Sequence, residues 1–315
     1  MDYNYDSRLN PPDKSIDVNM EKPAVIKMMQ ILSKNNRTDF GEMVSQYSDV
    51  KYSKITMPRG DSYSEKFQGK DMDIFVVEPT EVKGDMVFFH GGAYALPVQS
   101  PVIDLAVYYA RNTNRRVFIP EYILMPDAKG EEVFKDCINA WNYITDAEKN
   151  TEYKIDTQNV MLYGESAGGA LATGLTMYLR DHDNEGLVRP CKLMLIYPVL
   201  DNDCSYESKT KYADAAWSEG SNESMWNAYL TSADEDWMKY LVPMSNDDVS
   251  GFPATYVEPQ EMDILHDEAV KFFEKLQAAD TQCEMREIPG SYHSFDYDMK
   301  NEYVRDIVKE RLAYM

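Results

Sequence analysis

The sequence predicts an α/β fold in which a mostly parallel central sheet is flanked by helices. Short apolar segments that fit β-strands alternate along most of the chain with longer segments, about 10–15 residues each, that fit helices. This alternation is typical of β–α–β units, in which consecutive strands run parallel. Hydrophobic residues make up 43% of the 315 positions, so the chain can bury a large core.

The predicted elements follow one another from residue 23 onward. Residues 1–22 are polar and contain prolines, so we expect them to be irregular. Apolar side chains at helical spacing predict helices at 23–35, about 40–47, 131–148, 167–180, 267–279 and 298–312. Shorter segments, several of them apolar runs, are predicted as strands at 51–57, 72–77, 86–89, 117–120, 160–163, 193–197, 254–257 and 284–288.

Residues 201–248 interrupt the alternation of strands and helices. This segment is acidic and rich in Ser, Asn and Asp, yet it carries several Trp and Tyr residues. Trp226, Tyr229 and Leu230 lie at helical spacing and predict a short amphipathic helix. The segment is interpreted either as an insertion packed on the core or as a lid over a pocket at the carboxyl ends of the strands. The two interpretations are compatible.

The charge and hydropathy of the chain exclude several classes of partner. Acidic residues outnumber basic ones by 54 to 32, giving a net charge of −22 that repels nucleic acid and anionic membranes. No apolar run approaches the roughly 20 residues that span a bilayer, and the first residues do not resemble a secretory signal. We therefore expect a cytoplasmic protein without nucleic-acid or membrane partners. Self-association into a homo-oligomer stays open.

The sequence contains no motif that indicates a cofactor or a metal ion. A P-loop, a G-x-G-x-x-G loop, an H-E-x-x-H pair and a Cys/His cluster are all missing. The four cysteines are widely spaced without a C-x-x-C pair, and we expect them to be free buried thiols. These are Cys137, Cys191, Cys204 and Cys283.

A G-x-S-x-G motif at 164–168 is the first sign of chemistry. It directly follows the predicted strand at 160–163 and directly precedes the predicted helix at 167–180. A sharp strand-to-helix turn of this kind lifts a serine hydroxyl above the sheet and aims the helix N-terminus at the reacting group. Ser166 is therefore the predicted nucleophile.

A second glycine-containing loop, His90-Gly91-Gly92-Ala93-Tyr94, follows the predicted strand at 86–89. Small residues after a strand let backbone amides approach a ligand and bind the oxyanion of a tetrahedral intermediate. The predicted oxyanion donors are the amides of Gly91, Gly92 and Ala93, together with Ala167 after the serine. His90 is expected to fix this loop by hydrogen bonding.

A serine nucleophile needs a base, and the chain has only four histidines. His293 follows the last predicted strand, so it lies in a loop at the same sheet edge as Ser166. His182 fits an exposed helix end. His293 is therefore the predicted base.

The acid that orients the base should lie between the serine and the histidine in chain order. The segment after the strand at 254–257 offers Glu258, Glu261, Asp263 and Asp267. We predict Asp263 as this acid. Asp267 is interpreted as the N-cap of the following helix.

These motifs together resemble the hormone-sensitive-lipase-like family of α/β-hydrolase esterases. The family loop H-G-G-G-[FWY] is similar to 90–94, and its D-Y-R-L-A-P-E segment is similar to 121–127. Its G-D-S-A-G-G, D-P-L-R-D-E and H-G-F segments are similar to 164–169, 263–268 and 293–295. The order and spacing agree from about residue 70 to the end. Ala93, Glu165 and Ile264 depart from the pattern, and Glu165 is expected to change how the serine loop is supported.

The resemblance implies an α/β-hydrolase fold with a helical cap and a Ser166–His293–Asp263 triad. It places N-terminal cap helices at 1–50, the first part of the core at 51–200, a cap insertion at 201–248 and the second part of the core at 249–315. Tyr94 in the loop and Trp226 in the insertion are the candidates for substrate binding.

We therefore expect a serine carboxylesterase that hydrolyses small or medium uncharged esters with short acyl or acetyl groups. No metal or organic cofactor is expected. Two alternatives remain open at this point. The same triad also serves amide and peptide hydrolases, and the fold can carry a non-catalytic small-molecule receptor.

Overall fold

An eight-stranded sheet forms the centre of the computed structural model, which describes residues 3–10, 12, 18–36, 38–60 and 63–315. The strands lie in the order β1-β2-β4-β3-β5-β6-β7-β8. β1 and β4 pair antiparallel with β2, and all the remaining pairs are parallel. Their bounds are β1 Val50–Met57, β2 Met72–Pro79, β3 Gly84–Phe89, β4 Arg115–Pro120, β5 Val160–Glu165, β6 Lys192–Ile196, β7 Ala254–Glu258 and β8 Cys283–Met285. The predicted mostly parallel sheet is confirmed.

Ten α-helices of the described chain connect or cover these strands. They are α1 Pro23–Asn36, α2 Phe40–Ser45, α3 Ser100–Thr113, α4 Gly130–Thr145, α5 Ala167–Asp181, α6 Glu207–Lys211, α7 Glu219–Tyr229, α8 Glu235–Leu241, α9 His266–Ala278 and α10 Glu302–Glu310. The short helix predicted from Trp226 and Tyr229 is α7, which confirms that prediction. None of the described helices is both long and apolar enough to cross a bilayer.

Side chains alternate between the two faces of the sheet, and each face carries its own core. On β3, Val87 and Phe89 belong to one buried cluster, whereas Met86 and Phe88 belong to the other. This follows from the two-residue period of a strand. Because both faces are covered, the six residues of β3 are all buried.

Several elements of the structure differ from the prediction, which also did not include the short helices α6 and α8. The sequence reading did not predict α3, a 14-residue helix between β3 and β4. The last strand is limited to Cys283–Met285, shorter than the predicted 284–288. The last helix begins at Glu302, four residues later than predicted, because the Asn301 side chain accepts a hydrogen bond from the Tyr303 amide and caps it.

The prediction of four buried thiols is wrong for three of the cysteines. Cys137 is buried in α4, but Cys204 is exposed in the loop after β6, and the other two are partly exposed. The loop around Cys204 is polar, in keeping with the exposure of this side chain.

Candidate active site

Ser166 lies in the turn between β5 and α5, with backbone angles of φ +51° and ψ −123°. Residues other than glycine rarely adopt a positive φ, so this turn holds the backbone of Ser166 in a strained conformation. The turn is also crowded. A methyl group on Gly164 would overlap the Gly168 carbonyl oxygen, and one on Gly168 would overlap the Phe89 carbonyl oxygen. Both flanking glycines of the motif are therefore required by close backbone contacts.

Ser166, His293 and Asp263 form a continuous hydrogen-bonded chain. The Ser166 Oγ lies 2.9 Å from His293 Nε2, and His293 Nδ1 lies 2.6 Å from Asp263 Oδ2. Because the carboxylate accepts at Nδ1, this nitrogen carries the ring proton and Nε2 is free to accept from the serine. The second carboxylate oxygen of Asp263 accepts the Leu265 amide at 3.1 Å, which fixes its orientation.

Asp263 and His293 are supplied by loops at the carboxyl edge of the sheet. Asp263 follows β7 and precedes α9, and its side chain is 1% exposed. His293 follows β8 and is held between the aromatic rings of Tyr197 and Trp217, at 4.8 and 6.1 Å between ring centres. These loops thus bring Asp263 and Ser166 to opposite nitrogens of the His293 ring.

Asp267 does not cap α9, so that prediction is wrong. The helix begins at His266, and Asp267 lies inside its first turn. One carboxylate oxygen accepts the Ser208 amide at 2.9 Å and the other lies 2.8 Å from His266 Nδ1. Burial favours the neutral acid, but these hydrogen bonds outweigh it and hold the pKa of Asp267 below its usual value. Asp267 therefore links α9 to α6.

The loop after β3 turns sharply beside the serine. Gly92, Ala93 and Tyr94 have φ values of +105°, +55° and +56°. The Gly92 carbonyl accepts the amides of Ala95 and Leu96, which closes the turn. Ala93, where the family pattern has glycine, therefore does adopt the left-handed conformation that the turn needs.

The backbone amides predicted to bind the oxyanion differ in whether they already have a hydrogen-bond acceptor. Among the described residues, the Gly92 and Ala93 amides donate to no acceptor, and both residues line the cavity at Ser166. Ala167 is the first residue of α5, so its amide has no acceptor within the helix. The Gly91 amide instead donates to Glu165 Oε1 at 3.3 Å, which separates it from the other three predicted donors.

His90 is buried beneath this loop and supports it. Its Nδ1 lies 2.7 Å from the Gly91 carbonyl oxygen, and its ring stacks on Tyr122 with 4.4 Å between centres. Tyr122 in turn donates its hydroxyl to the His90 carbonyl at 2.7 Å. Burial lowers the pKa of His90 to about 4, so the ring is neutral and donates through Nδ1.

A family model described as the alpha/beta hydrolase fold matches residues 86–297. The chain belongs to this family. The predicted resemblance to the hormone-sensitive-lipase-like α/β-hydrolases is thereby confirmed. The matched segment begins within β3 and includes every residue of the serine, acid and histidine loops.

Two bacterial enzymes are among the proteins whose sequences are similar to that of this α/β-hydrolase. An ethyl acetate hydrolase from Pseudomonas putida is 26% identical over 219 residues, 69% of this chain and 68% of the relative. An acetyl esterase from Salmonella paratyphi B is 24% identical over 226 residues, 70% of this chain and 68% of the relative.

Solved structures agree on the fold. A bacterial heroin esterase superposes with a TM-score of 0.79 at 24% identity, covering 98% of this chain and 96% of the other. The esterase LipW from Mycobacterium marinum superposes with a TM-score of 0.82 at 19% identity, covering 99% and 97%. The predicted α/β-hydrolase fold is confirmed.

A cavity of about 1480 Å³ opens at the serine of this α/β-hydrolase. It is lined by residues of the serine, oxyanion and histidine loops, and it continues along α3 as an open groove. The wall near the serine includes Ala93, Leu96, Ala216, Trp217 and Tyr292.

The two predicted substrate-binding residues are both buried. Tyr94 is fully buried and stacks on Tyr229 of α7, with 4.0 Å between the ring centres. Trp226 is 4% exposed and packs edge-on against the same Tyr229. Neither side chain lines the cavity at Ser166, whereas Trp217 does. Trp217 lies in the loop before α7, where helical periodicity gives no signal.

The N-terminal segment contributes to the site in a way that the sequence reading missed. The Asp6 amide donates to the Gly290 carbonyl at 2.9 Å, and the Tyr292 hydroxyl donates to the Asn10 carbonyl at 2.6 Å. The Tyr5 ring packs edge-on against Tyr292 with 5.1 Å between centres. Residues 3–10 are therefore attached to the loop that carries His293.

Proposed function

We propose that this α/β-hydrolase is a serine carboxylesterase. The observation that carries the proposal is the Ser166–His293–Asp263 chain, which opens into a cavity beside two amides without acceptors among the described residues. A nucleophile, an oriented base and oxyanion donors at one point are the parts that acyl transfer requires.

The geometry supports a two-step reaction. His293 Nε2 takes the proton of Ser166 as Oγ attacks the ester carbonyl, and Asp263 stabilises the imidazolium that forms. The amides of Gly92, Ala93 and Ala167 bind the oxyanion of the tetrahedral intermediate. The protonated histidine then gives its proton to the departing alcohol, leaving an acyl-enzyme on Ser166. Water, deprotonated by the same histidine, releases the acid.

We propose small or medium uncharged esters with short acyl groups as substrates. The relatives named ethyl acetate hydrolase and acetyl esterase support a short acyl group. Apolar side chains among the described residues that line the cavity, such as Leu96, Ala216 and Trp217, support an uncharged one, since they offer no charged partner for a carboxylate or an ammonium group. The open groove along α3 leaves room for an alcohol larger than ethanol.

We also propose that residues 1–50, of which the structure describes 3–10, 12, 18–36 and 38–50, act together with residues 201–248 as a cap over the core formed by 51–200 and 249–315. Gln30 of α1 donates to the Ala95 and Met125 carbonyls, and Tyr229 of α7 stacks on Tyr94, so both segments contact the region of the oxyanion loop. The Met20 amide donates to Ser224 Oγ at 2.8 Å and joins the two segments. A cytoplasmic location remains a prediction from composition.

A chain-length series of p-nitrophenyl esters tests the function and the substrate class together. We expect the highest kcat/KM for acetyl to butyryl esters and a steep loss for long acyl chains. The anilide of the best acyl group, measured alongside, separates an esterase from an amide hydrolase. Absence of turnover on every ester, or faster turnover of the anilide, would overturn the proposal.

A further inference from the structure

Glu165, the residue before the nucleophile, is fully buried and contacts the oxyanion loop. Its Oε1 accepts the Gly91 amide at 3.3 Å and the Tyr297 hydroxyl at 2.5 Å. Its Oε2 lies 3.5 Å from the Tyr197 hydroxyl oxygen. Within the described residues, no lysine, arginine or histidine forms a hydrogen bond or ion pair with this carboxyl group.

Glu165 shares its buried surroundings with two other carboxyl groups and one arginine, all fully buried. Arg311 donates to both oxygens of Glu258 and, through Nη1, to Asp296 at 2.7 Å. A single guanidinium thus pairs with two carboxylates, and in the part of the chain that the structure describes Arg311 forms no hydrogen bond with Glu165. A third buried charge without a cation would be costly, so the neutral acid is favoured at Glu165.

The hydroxyl protons around Tyr197 lead to the same conclusion. Tyr197 has one hydroxyl proton, and its closest acceptor is Asp296 Oδ1 at 2.6 Å. The Tyr197 oxygen therefore has no proton left for Glu165 Oε2. If Glu165 were ionised, the lone pairs of Oε2 would face the lone pairs of the Tyr197 oxygen. If Oε2 carried a proton, it would donate a hydrogen bond to that oxygen.

We propose that Glu165 is a positioning residue that holds the oxyanion loop through the Gly91 amide and acts in its neutral acid form. This inference rests on the proposed esterase function. Loss of the proton above neutral pH places an uncompensated negative charge directly beside the serine. That charge opposes formation of the oxyanion, so turnover falls.

The electrostatic surroundings agree with this assignment. Burial, followed by the charge of Asp296, raises the pKa of Glu165 to about 8. The hydrogen bond from Tyr297 and the charge of Arg311 act in the opposite direction. The titratable groups that face Glu165 from the surrounding elements are Tyr122, Tyr163, Tyr197, Asp296, Tyr297 and Arg311.

The test compares Glu165→Gln with Glu165→Ala and with the exposed control Glu152→Gln. The glutamine side chain mimics the neutral acid, since its oxygen accepts from Gly91 and Tyr297 and its amide nitrogen donates toward Tyr197. With p-nitrophenyl acetate, corrected for spontaneous hydrolysis, kcat of the wild type and of the control should fall about tenfold or more from about pH 7.5 to 9.5. The kcat of Glu165→Gln should fall less than about twofold over the same pH range. At pH 7.5 the kcat of Glu165→Gln should exceed that of Glu165→Ala by about tenfold or more, with little difference in KM between the two variants.

Thermal melts give a readout that needs no activity. The folded protein holds the Glu165 proton up to about pH 8, whereas the unfolded chain releases it near the ordinary value of 4.5. Stability therefore falls as pH rises between these values. From pH 6 to pH 9, the Tm of the wild type should fall further than that of Glu165→Gln.

These outcomes separate the inference from the proposed function. Equal Tm losses in the wild type and Glu165→Gln would overturn the neutral acid, even if no ester were hydrolysed. An unchanged alkaline fall in kcat for Glu165→Gln, or a Glu165→Gln kcat as low as that of Glu165→Ala, would also overturn it. If the Tm losses differ as expected while the wild type hydrolyses no ester, the esterase assignment fails and the neutral acid stands.

Discussion

Ser166 keeps its strained backbone because hydrogen bonds on both sides hold it in place. Its amide donates to the Ile196 carbonyl at 3.0 Å, and its carbonyl accepts the Gly169 and Val199 amides at 2.9 Å each. Two of these partners lie at the end of β6 and beyond it, so the neighbouring strand fixes the turn. Strain of this kind persists only where the surroundings impose it. The serine hydroxyl is thus aimed at His293 before any substrate arrives.

The two nearby aspartates should respond differently to the same substitution. Asp263→Asn removes the acceptor that fixes the His293 tautomer, so kcat should fall by roughly 10³–10⁴ with little change in Tm. Asp267→Asn should leave kcat within about tenfold, since Asp267 contacts neither the serine nor His293. Asp267→Ala should lower the free energy of unfolding by about 1 kcal/mol, because the Ser208 amide loses its acceptor, while the partial exposure of Asp267 keeps the loss small.

Kinetics and thermal melts on these three variants provide the check. A large kcat loss in Asp267→Asn together with an active Asp263→Asn would show that the acid is misassigned.

At the residue scale, the sequence was informative where chemistry limits the candidates. The G-x-S-x-G motif contains one serine, the chain has only four candidate histidines, and the acid must lie between the serine and the histidine in chain order. These restrictions allowed Ser166, His293 and Asp263 to be predicted. The surroundings of Glu165 could not be predicted. Tyr197 lies 99 residues before Asp296 in the chain, and it meets Asp296 and Arg311 only after folding.

At the element scale, α5 packs unusually close to the end of β3. A side chain on Gly168 would overlap the carbonyl oxygens of Phe89 and His90, so the first turn of α5 lies directly against the oxyanion loop. This contact sets the distance between the nucleophile and the Gly92 and Ala93 amides. It also aims the positive end of the α5 dipole at the developing oxyanion.

Gly168→Ala should therefore damage both stability and catalysis. Forcing a methyl group between packed backbones typically costs about 1–3 kcal/mol. A displacement of α5 by about 1 Å should lower kcat by about 10²-fold. Gly220→Ala, at an exposed position of α7 with open space around it, is the matched control and should keep its kcat and gain a few tenths to about 1 kcal/mol of stability.

The measurements are urea unfolding and steady-state kinetics on both variants. If Gly168→Ala matched the wild type in both, the close contact between α5 and the oxyanion loop would not matter for the site.

The elements themselves could be predicted where periodicity was clear and not where it was weak. The helix α4 shows a clear apolar face, and its predicted bounds differ from the structure by only a few residues. The helix α3 buries seven side chains spread around much of its circumference and has no side-chain cap at Gln99. Apolar side chains on most sides of a helix leave the helical period weak, so neither the pattern nor a cap marks α3 in the sequence.

At the scale of the whole molecule, the site depends on segments that are far apart in the sequence. Residues 3–10 contact the His293 loop, α1 contacts the oxyanion loop through Gln30, and α7 contacts Tyr94. The resemblance implied a cap from the two outer segments, but it did not indicate that residues 3–10 bind the histidine loop. Backbone hydrogen bonds such as that from Asp6 to Gly290 leave no pattern in the side chains.

The kcat of Ser166→Ala on p-nitrophenyl acetate tests the central claim most directly. Removing the nucleophile should lower kcat by about 10⁴-fold or more, because the members of a triad act as a unit. The Tm should stay close to that of the wild type, since alanine fills the same position without disturbing the glycines around it. Turnover near the wild-type value in a folded Ser166→Ala protein would contradict the assignment of this chain as a serine esterase.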